Sequence, residues 1–199
     1  MEIRSVCVFC GSNPGTDPAY AEAAVATGRD LAERGVRIVY GGGAVGLMGR
    51  MAGAAMDAGG EVVGVIPDFL EAAEVGARDI TELHVTETMH ERKALMSELS
   101  DAFVALPGGI GTFEEAFEVM TWTQLGIHDK PIALIDVNGF YAPAAALLDR
   151  AVVDGFLAAE VRAAILLAPT AAAALDAFAT WERPAIGKWT ERPVTVEDT

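Results

Sequence analysis

The stretch "DAFVALPGGIGTFEEAFEVM", Asp101–Met120, decides the fold. Its first part, Ala102–Leu106, is an unbroken apolar run of strand length, which suits a strand covered on both faces. Pro107 ends the run, and Gly108, Gly109 and Gly111 follow before a helical pattern over Phe113–Leu125. A strand entering a helix through a glycine turn is half of a βαβ unit. Such a turn gathers backbone N–H groups and the positive end of the helix dipole, so it invites an anion. The two carboxylates beside it, Glu114 and Glu115, then need a reason.

The same alternation continues outward from this stretch. Apolar β-rich runs occur at Ser5–Cys10, Arg37–Tyr40, Glu61–Ile66, Leu83–Val85, Ile132–Asp136 and Ala164–Leu167. Between them lie amphipathic stretches of helix length at Ala19–Arg34, Leu47–Ala58, Met89–Leu99 and Phe140–Val153. Strand alternating with helix predicts parallel pairing with right-handed crossovers. The expected fold is α/β: a Rossmann-like doubly wound parallel sheet of about seven strands with helices on both faces. Ligands of such sheets bind beyond the carboxyl ends of the strands. Three of those ends carry glycine loops, "CGSNPG" at Cys10–Gly15, "GGGAVGLMG" at Gly41–Gly49 and "PGGIGT" at Pro107–Thr112, which predicts a shared pocket floor.

A chain of 199 residues fits one domain,. The expected unit is a single nucleotide-binding domain over residues 1–182, followed by a C-terminal tail over 183–199 in which prolines and glycine interrupt any period,. Hydrophobic content of 52% with 22% charged residues describes a packed globular protein,. The net charge of −15 repels nucleic acid at long range, so no nucleic-acid partner is expected,. No apolar run reaches the roughly 18 residues that span a bilayer, and Met1–Cys10 has no signal-peptide pattern; the expectation is a cytoplasmic protein with no membrane partner. Cys7 and Cys10 have CxxC spacing but sit inside a strand, where they read as small core thiols,. No cluster of ligands calls for a metal.

Gly41, Gly43 and Gly46 match G-x-G-x-x-G between a strand and a helix, and Asp68 lies near the end of the next strand,. Dinucleotide binding is therefore an alternative, weakened because the loop follows the second strand and little chain remains for a substrate domain. In "TMHERKALM", Thr88 and Glu91 have capping-box spacing, and Met89, Arg92, Lys93 and Met96 share one helix face,. Two cations on such a face point to a cleft containing anions, with snorkelling of both stems as the alternative.

Thr112 and Glu115 also have capping-box spacing, while Phe113, Phe117 and Met120 form the expected core stripe of their helix,. Glu115 stands where a bound phosphate would repel it. The conflict disappears when the ligand extends past its phosphate and presents developing positive charge to the carboxylate. A sugar breaking its bond to a base does so, because the anomeric carbon becomes oxocarbenium-like.

Taken in order, "CGSNPG", "GGGAVGLMG", "MHERK", "PGGIGTFEE" and "TWTQLGIHDKP" span Cys10–Pro131 and resemble the Lonely Guy family of cytokinin-activating phosphoribohydrolases. The resemblance implies a homodimer and no cofactor. It also implies hydrolysis of the N-glycosidic bond in a nucleoside 5′-monophosphate whose adenine carries an isoprenoid group, giving free base and ribose 5-phosphate. Residue by residue, it makes Arg92 and Glu115 catalytic. Substrate binding falls on Lys93, on Gly109, Ile110, Gly111 and Thr112, and on Thr121, with Met89 and Gly108 beside them. Ser12 and the Gly41–Gly43 loop are expected to assist at the phosphate. Glu74 is a further substrate contact whose glycine, in "EVGA", comes one place early. Other readings that use the same residues are an AMP nucleosidase of nucleotide salvage and a non-catalytic nucleotide carrier or sensor. Some members of the family carry the label lysine decarboxylase. Only Lys93, Lys130 and Lys188 are present, and none has the setting of a Schiff-base lysine,.

Overall fold

A computed structural model of the chain describes residues 2–74, 77 and 79–183. Seven strands form one parallel sheet: β1 (Ser5–Phe9), β2 (Arg37–Tyr40), β3 (Val62–Pro67), β4 (Glu82–Thr86), β5 (Ala102–Ala105), β6 (Ile132–Ile135) and β7 (Ile165–Ala168). Their order is β4-β3-β2-β1-β5-β6-β7. The chain winds outward from β1 to one edge and then resumes at β5 on the other side of β1. The switch point, where ligand crevices open in doubly wound sheets, is therefore between β1 and β5. Every pairing is parallel, with Val6 opposite Ile38 of β2 and Ala102 of β5.

Alternation along β1 feeds two cores. Val6, Val8 and Cys10 pack on one side with α1 (Pro18–Glu33), α2 (Gly46–Asp57) and α8 (Ala171–Phe178). Cys7 and Phe9 point to the other side, with Met96 of α4 (Met89–Glu98) and Ala116, Val119 and Trp122 of α5 (Ile110–Leu125). Opposite faces also keep the two thiols of the CxxC spacing apart; both are free and buried, and burial raises their pKa values. α6 (Ala142–Val153) covers this second face through its first turn, where Tyr141 donates its hydroxyl to the Leu106 carbonyl at 2.8 Å. Three short helices were not legible as periods: α3 (Asp68–Glu74), α7 (Ala159–Ala164) and α8. With 6 to 8 residues each, they show too few turns for a stripe to emerge,. No helix among the described residues is long and apolar enough to cross a membrane.

The expected helix starts divide. Thr88 caps α4 with a full capping box: its hydroxyl accepts the Glu91 N–H at 3.1 Å, and Glu91 reaches back to the Thr88 N–H. The box expected at Thr112 and Glu115 does not form. α5 begins two residues before Thr112, at Ile110, with Gly109 as its N-cap and no side chain capping it. The core stripe expected for α5 is corrected with it. Thr112, Glu115, Ala116, Val119 and Met120 are buried, and Phe117 is 39% exposed. Moving the start back turns Glu115 from a cap into a residue of the second helical turn, facing inward.

Candidate active site

The three glycine loops meet beyond the carboxyl ends of β1, β2 and β5. Gly11 joins them: its N–H donates to the Pro107 carbonyl at 3.1 Å, and its own carbonyl accepts the Leu47 N–H at 3.0 Å. Gly46 lets the loops touch. It has φ +63°, and a Cβ there would strike the Ser12 carbonyl. This contact accounts for the last glycine of the G-x-G-x-x-G match without a dinucleotide. Asp68, the acid of that match, opens α3, where its carboxylate accepts the Phe69 N–H at 2.6 Å.

A cavity of about 240 Å³ lies at this junction, lined by Gly11, Ser12, Gly41, Met48, Arg92, Gly109–Thr112 and Glu115 among others. Its rim is the start of α5, where the first N–H groups have no intrahelical partner and the N-cap, Gly109, offers no side chain to them,. Its wall is Glu115, 8% exposed, which meets the Arg92 guanidinium at 3.2 Å. Arg92 is held on its other sides as well. Its Nε donates to the Val65 carbonyl at 3.0 Å, and Nη2 donates to the Gly41 carbonyl at 3.4 Å. The guanidinium thus ties the end of β3, the glycine loop after β2 and the second turn of α5 into one unit.

Lys93, the next residue on α4, has a different setting. Its ammonium donates to Glu114 at 2.6 Å and to Glu118 at 2.9 Å, and it does not line the cavity. Burial would lower its pKa, but the hydrogen bonds to the two carboxylates outweigh that and raise it. The anions facing the two cations of α4 are therefore the protein's own carboxylates. A raised amine is the opposite of what a Schiff-base lysine requires. Lys130 is also occupied, donating to the Ser97 carbonyl at 2.6 Å, and Lys188 lies outside the described residues.

Of the residues expected at the site, Ser12, Arg92, Gly109, Ile110, Gly111, Thr112 and Glu115 converge on the cavity. Gly108 lines an adjoining hollow of about 230 Å³ with Tyr20 and Phe140. Gly43 is buried in its loop, and the Met89 sulfur lies 3.7 Å from Arg92 Nη1. Thr121 is not brought in; it is exposed farther along α5, its hydroxyl donating to the Phe117 carbonyl at 2.8 Å. The side chain of Glu74 lies outside the described residues. Gly11 and Met48 were missed. The position of Gly11 just beyond the carboxyl end of β1, in the first glycine loop, was the available signal, whereas Met48 reads only as a core residue of its helix.

The family model described as "possible lysine decarboxylase" matches residues 48–178. The cytokinin riboside 5′-monophosphate phosphoribohydrolase LOG of Oryza sativa subsp. japonica is 51% identical over 168 residues, 84% of this chain and 69% of that one. A cytokinin riboside 5′-monophosphate phosphoribohydrolase of Rhodococcoides fascians is 50% identical over 165 residues, covering 82% and 83%. Among solved structures, the molybdenum cofactor carrier protein of Chlamydomonas reinhardtii shares the fold, with a TM-score of 0.66 at 21% identity over 88% of this chain and 95% of that one. Half-identity to both a plant and a bacterial relative across more than four-fifths of the chain shows that it belongs to the Lonely Guy family of cytokinin riboside 5′-monophosphate phosphoribohydrolases.

Proposed function

We propose that this chain hydrolyses the N-glycosidic bond of cytokinin riboside 5′-monophosphates, N6-modified forms of AMP, to free cytokinin base and ribose 5-phosphate. The observation that carries the proposal is the buried Arg92–Glu115 pair in the wall of a cavity rimmed by the uncapped start of α5. The 5′-phosphate binds the N–H groups at Ile110, Gly111 and Thr112, assisted by Ser12. Glu115, one helical turn further on, faces the ribose. There it stabilises the oxocarbenium-like carbon and orients and deprotonates the attacking water. The water oxygen bonds to the anomeric carbon while the bond to the base nitrogen breaks; the electron pair of that bond leaves with the base, which takes up a proton from solvent while Glu115 returns the water's proton to solvent. Arg92 holds Glu115 in place through the 3.2 Å contact.

The remaining expectations belong to the same reading. The domain runs through residue 182, and the enzyme works in the cytoplasm as a homodimer; past residue 183 the expected tail lies outside the described residues. Ile110 and Phe117, exposed seven residues apart on one side of α5, support a covered face there. The fold is common to hydrolases and to a carrier, so the carboxylate rather than the sheet supports hydrolysis,.

Purified protein is incubated separately with isopentenyladenosine 5′-monophosphate and with AMP, and the products are separated by liquid chromatography. The expected result is release of base, faster from the isopentenyl substrate. Equal release from both would make the protein an AMP nucleosidase of nucleotide salvage. Binding without release would leave a nucleotide carrier or sensor.

A further inference from the structure

We propose that Tyr141 is a positioning residue for the phosphate cradle: it brackets the glycine turn, with its hydroxyl on the strand end before the turn and its ring on the first side chain after it. The proposal rests on the phosphoribohydrolase reading. The turn itself has little to hold it. Pro107 has no N–H, and three of the next four residues are glycines, which lose the most backbone freedom when fixed,. A Cβ added at Gly109 or Gly111 would meet nothing within 4 Å, so packing against side chains does not fix them. Amides stabilise an anion well only when they are aimed at it beforehand, so the ends of the turn must set that aim.

Tyr141 meets both ends. Its hydroxyl donates to the Leu106 carbonyl at 2.8 Å, directly before Pro107. The side chain is buried, and burial pushes the hydroxyl pKa up, which keeps it a donor. Its ring stands edge-on to Phe113 with centroids 6.2 Å apart, one residue past the cradle amides of Ile110, Gly111 and Thr112. Phe140 sets a second ring against Phe113 at 6.1 Å. Gly11 adds a hold from the loop after β1, its N–H donating to the Pro107 carbonyl at 3.1 Å. Tyr141 is fixed in turn by Asp136 at the end of β6. That carboxylate accepts the Tyr141 N–H at 2.7 Å, and the Asp136 N–H donates to the Ala168 carbonyl of β7 at 2.9 Å. Neither Tyr141 nor any residue of β6 or β7 lines the cavity, yet this chain of contacts sets the aim of its amides.

The test is steady-state kinetics on isopentenyladenosine 5′-monophosphate, together with calorimetric titration by inorganic phosphate, for wild type, Tyr141→Phe and Asp136→Ala. Tyr141→Phe keeps the ring and loses only the hydroxyl. KM rises about threefold or more, the range of one neutral hydrogen bond, and phosphate binding weakens by a similar factor. Meanwhile kcat stays within about twofold, because the phosphate is held alike before and during the reaction. Asp136→Ala frees the Tyr141 backbone, shifts KM and phosphate affinity in the same direction, and decides the matter where Tyr141→Phe does not fold. A hydroxyl that serves stability alone would lower the melting temperature and leave KM and phosphate affinity at their wild-type values, which would overturn the proposal. A loss confined to kcat would overturn it too, as would a wild type that binds no phosphate. Absence of base release from the wild type would instead overturn the phosphoribohydrolase reading, and the phosphate titrations would still decide whether Tyr141 aims the cradle.

Discussion

Arg92 and Glu115, 23 positions apart in the chain, meet at 3.2 Å with side chains only 8% and 10% exposed. Buried charges in contact stand or fall together, because removing one strands the other in a poorly solvating interior. The pair thereby links the stability of the fold to its proposed chemistry, and the two can be separated by substitution.

Glu115→Gln keeps the shape of the side chain and removes its charge. The expected outcome is a loss of about a hundredfold or more in kcat, the size of effect seen when one electrostatic stabiliser of a transition state is removed. Base release by liquid chromatography measures it, and wild-type kcat in the variant would rule out the carboxylate as the stabilising group.

Arg92→Met leaves Glu115 buried without its guanidinium and is expected to cost about 3–5 kcal/mol in urea unfolding. Adding Glu115→Leu should recover most of that stability while leaving the protein inactive. Stability that is not recovered in the double variant would mean that the bonds from Arg92 to Val65 and Gly41 carry the effect instead.

Gly41→Ala acts on the same pair through the backbone. A Cβ at Gly41 would run into Nη2 of Arg92 and lie 3.2 Å from the Met48 sulfur. Both are ends of flexible side chains, so the guanidinium yields before the fold does. The expected outcome is a drop of kcat by roughly tenfold or more, matching a displacement of catalytic groups, with a small change in melting temperature. A large melting shift with full activity would contradict this ordering.

His128 makes stability depend on pH. It packs against Phe103 and Trp122, and its Nδ1 accepts the Lys130 N–H at 3.2 Å. Burial first, and then the charge of Lys130, lowers its pKa to about 4 from the ordinary 6.5. Between these values the unfolded chain holds a proton at this site that the folded chain does not. Its contribution is therefore fully present above about pH 6.5 and is lost as pH falls toward 4, by about 3 kcal/mol in all,. Urea unfolding at intervals between pH 7 and 4 measures the slope, and His128→Asn should flatten it. An unchanged slope in that variant would place the proton uptake elsewhere.

The alternation of apolar runs with amphipathic stretches was enough for the parallel sheet, because buried parallel strands and their crossover helices each leave a distinct period. The glycine loops were equally legible at Gly41–Gly49 and Pro107–Thr112, since a turn that brings backbone close to backbone excludes a side chain. The capping box of α4 was readable because it is local, held within Thr88–Glu91. The same spacing at Thr112 and Glu115 misled, since Gly109 had already opened α5. No periodicity distinguishes a carboxylate that caps its own helix from one turned into a cavity.

The order and type of the elements, and the chemistry available at their ends (an amide-rich turn, a carboxylate and two cations), were written in the chain. These follow from backbone sterics and from side-chain periods of two and 3.6 residues, both of which are local. The pairing of those groups came from the packing of the folded chain. It gave Arg92 to Glu115, gave Lys93 to Glu114 and Glu118, and left Thr121 outside the cavity. The reason is that α4 and α5 lie over different strands, so the contact between them depends on strand order and sheet packing, which no spacing along the chain encodes.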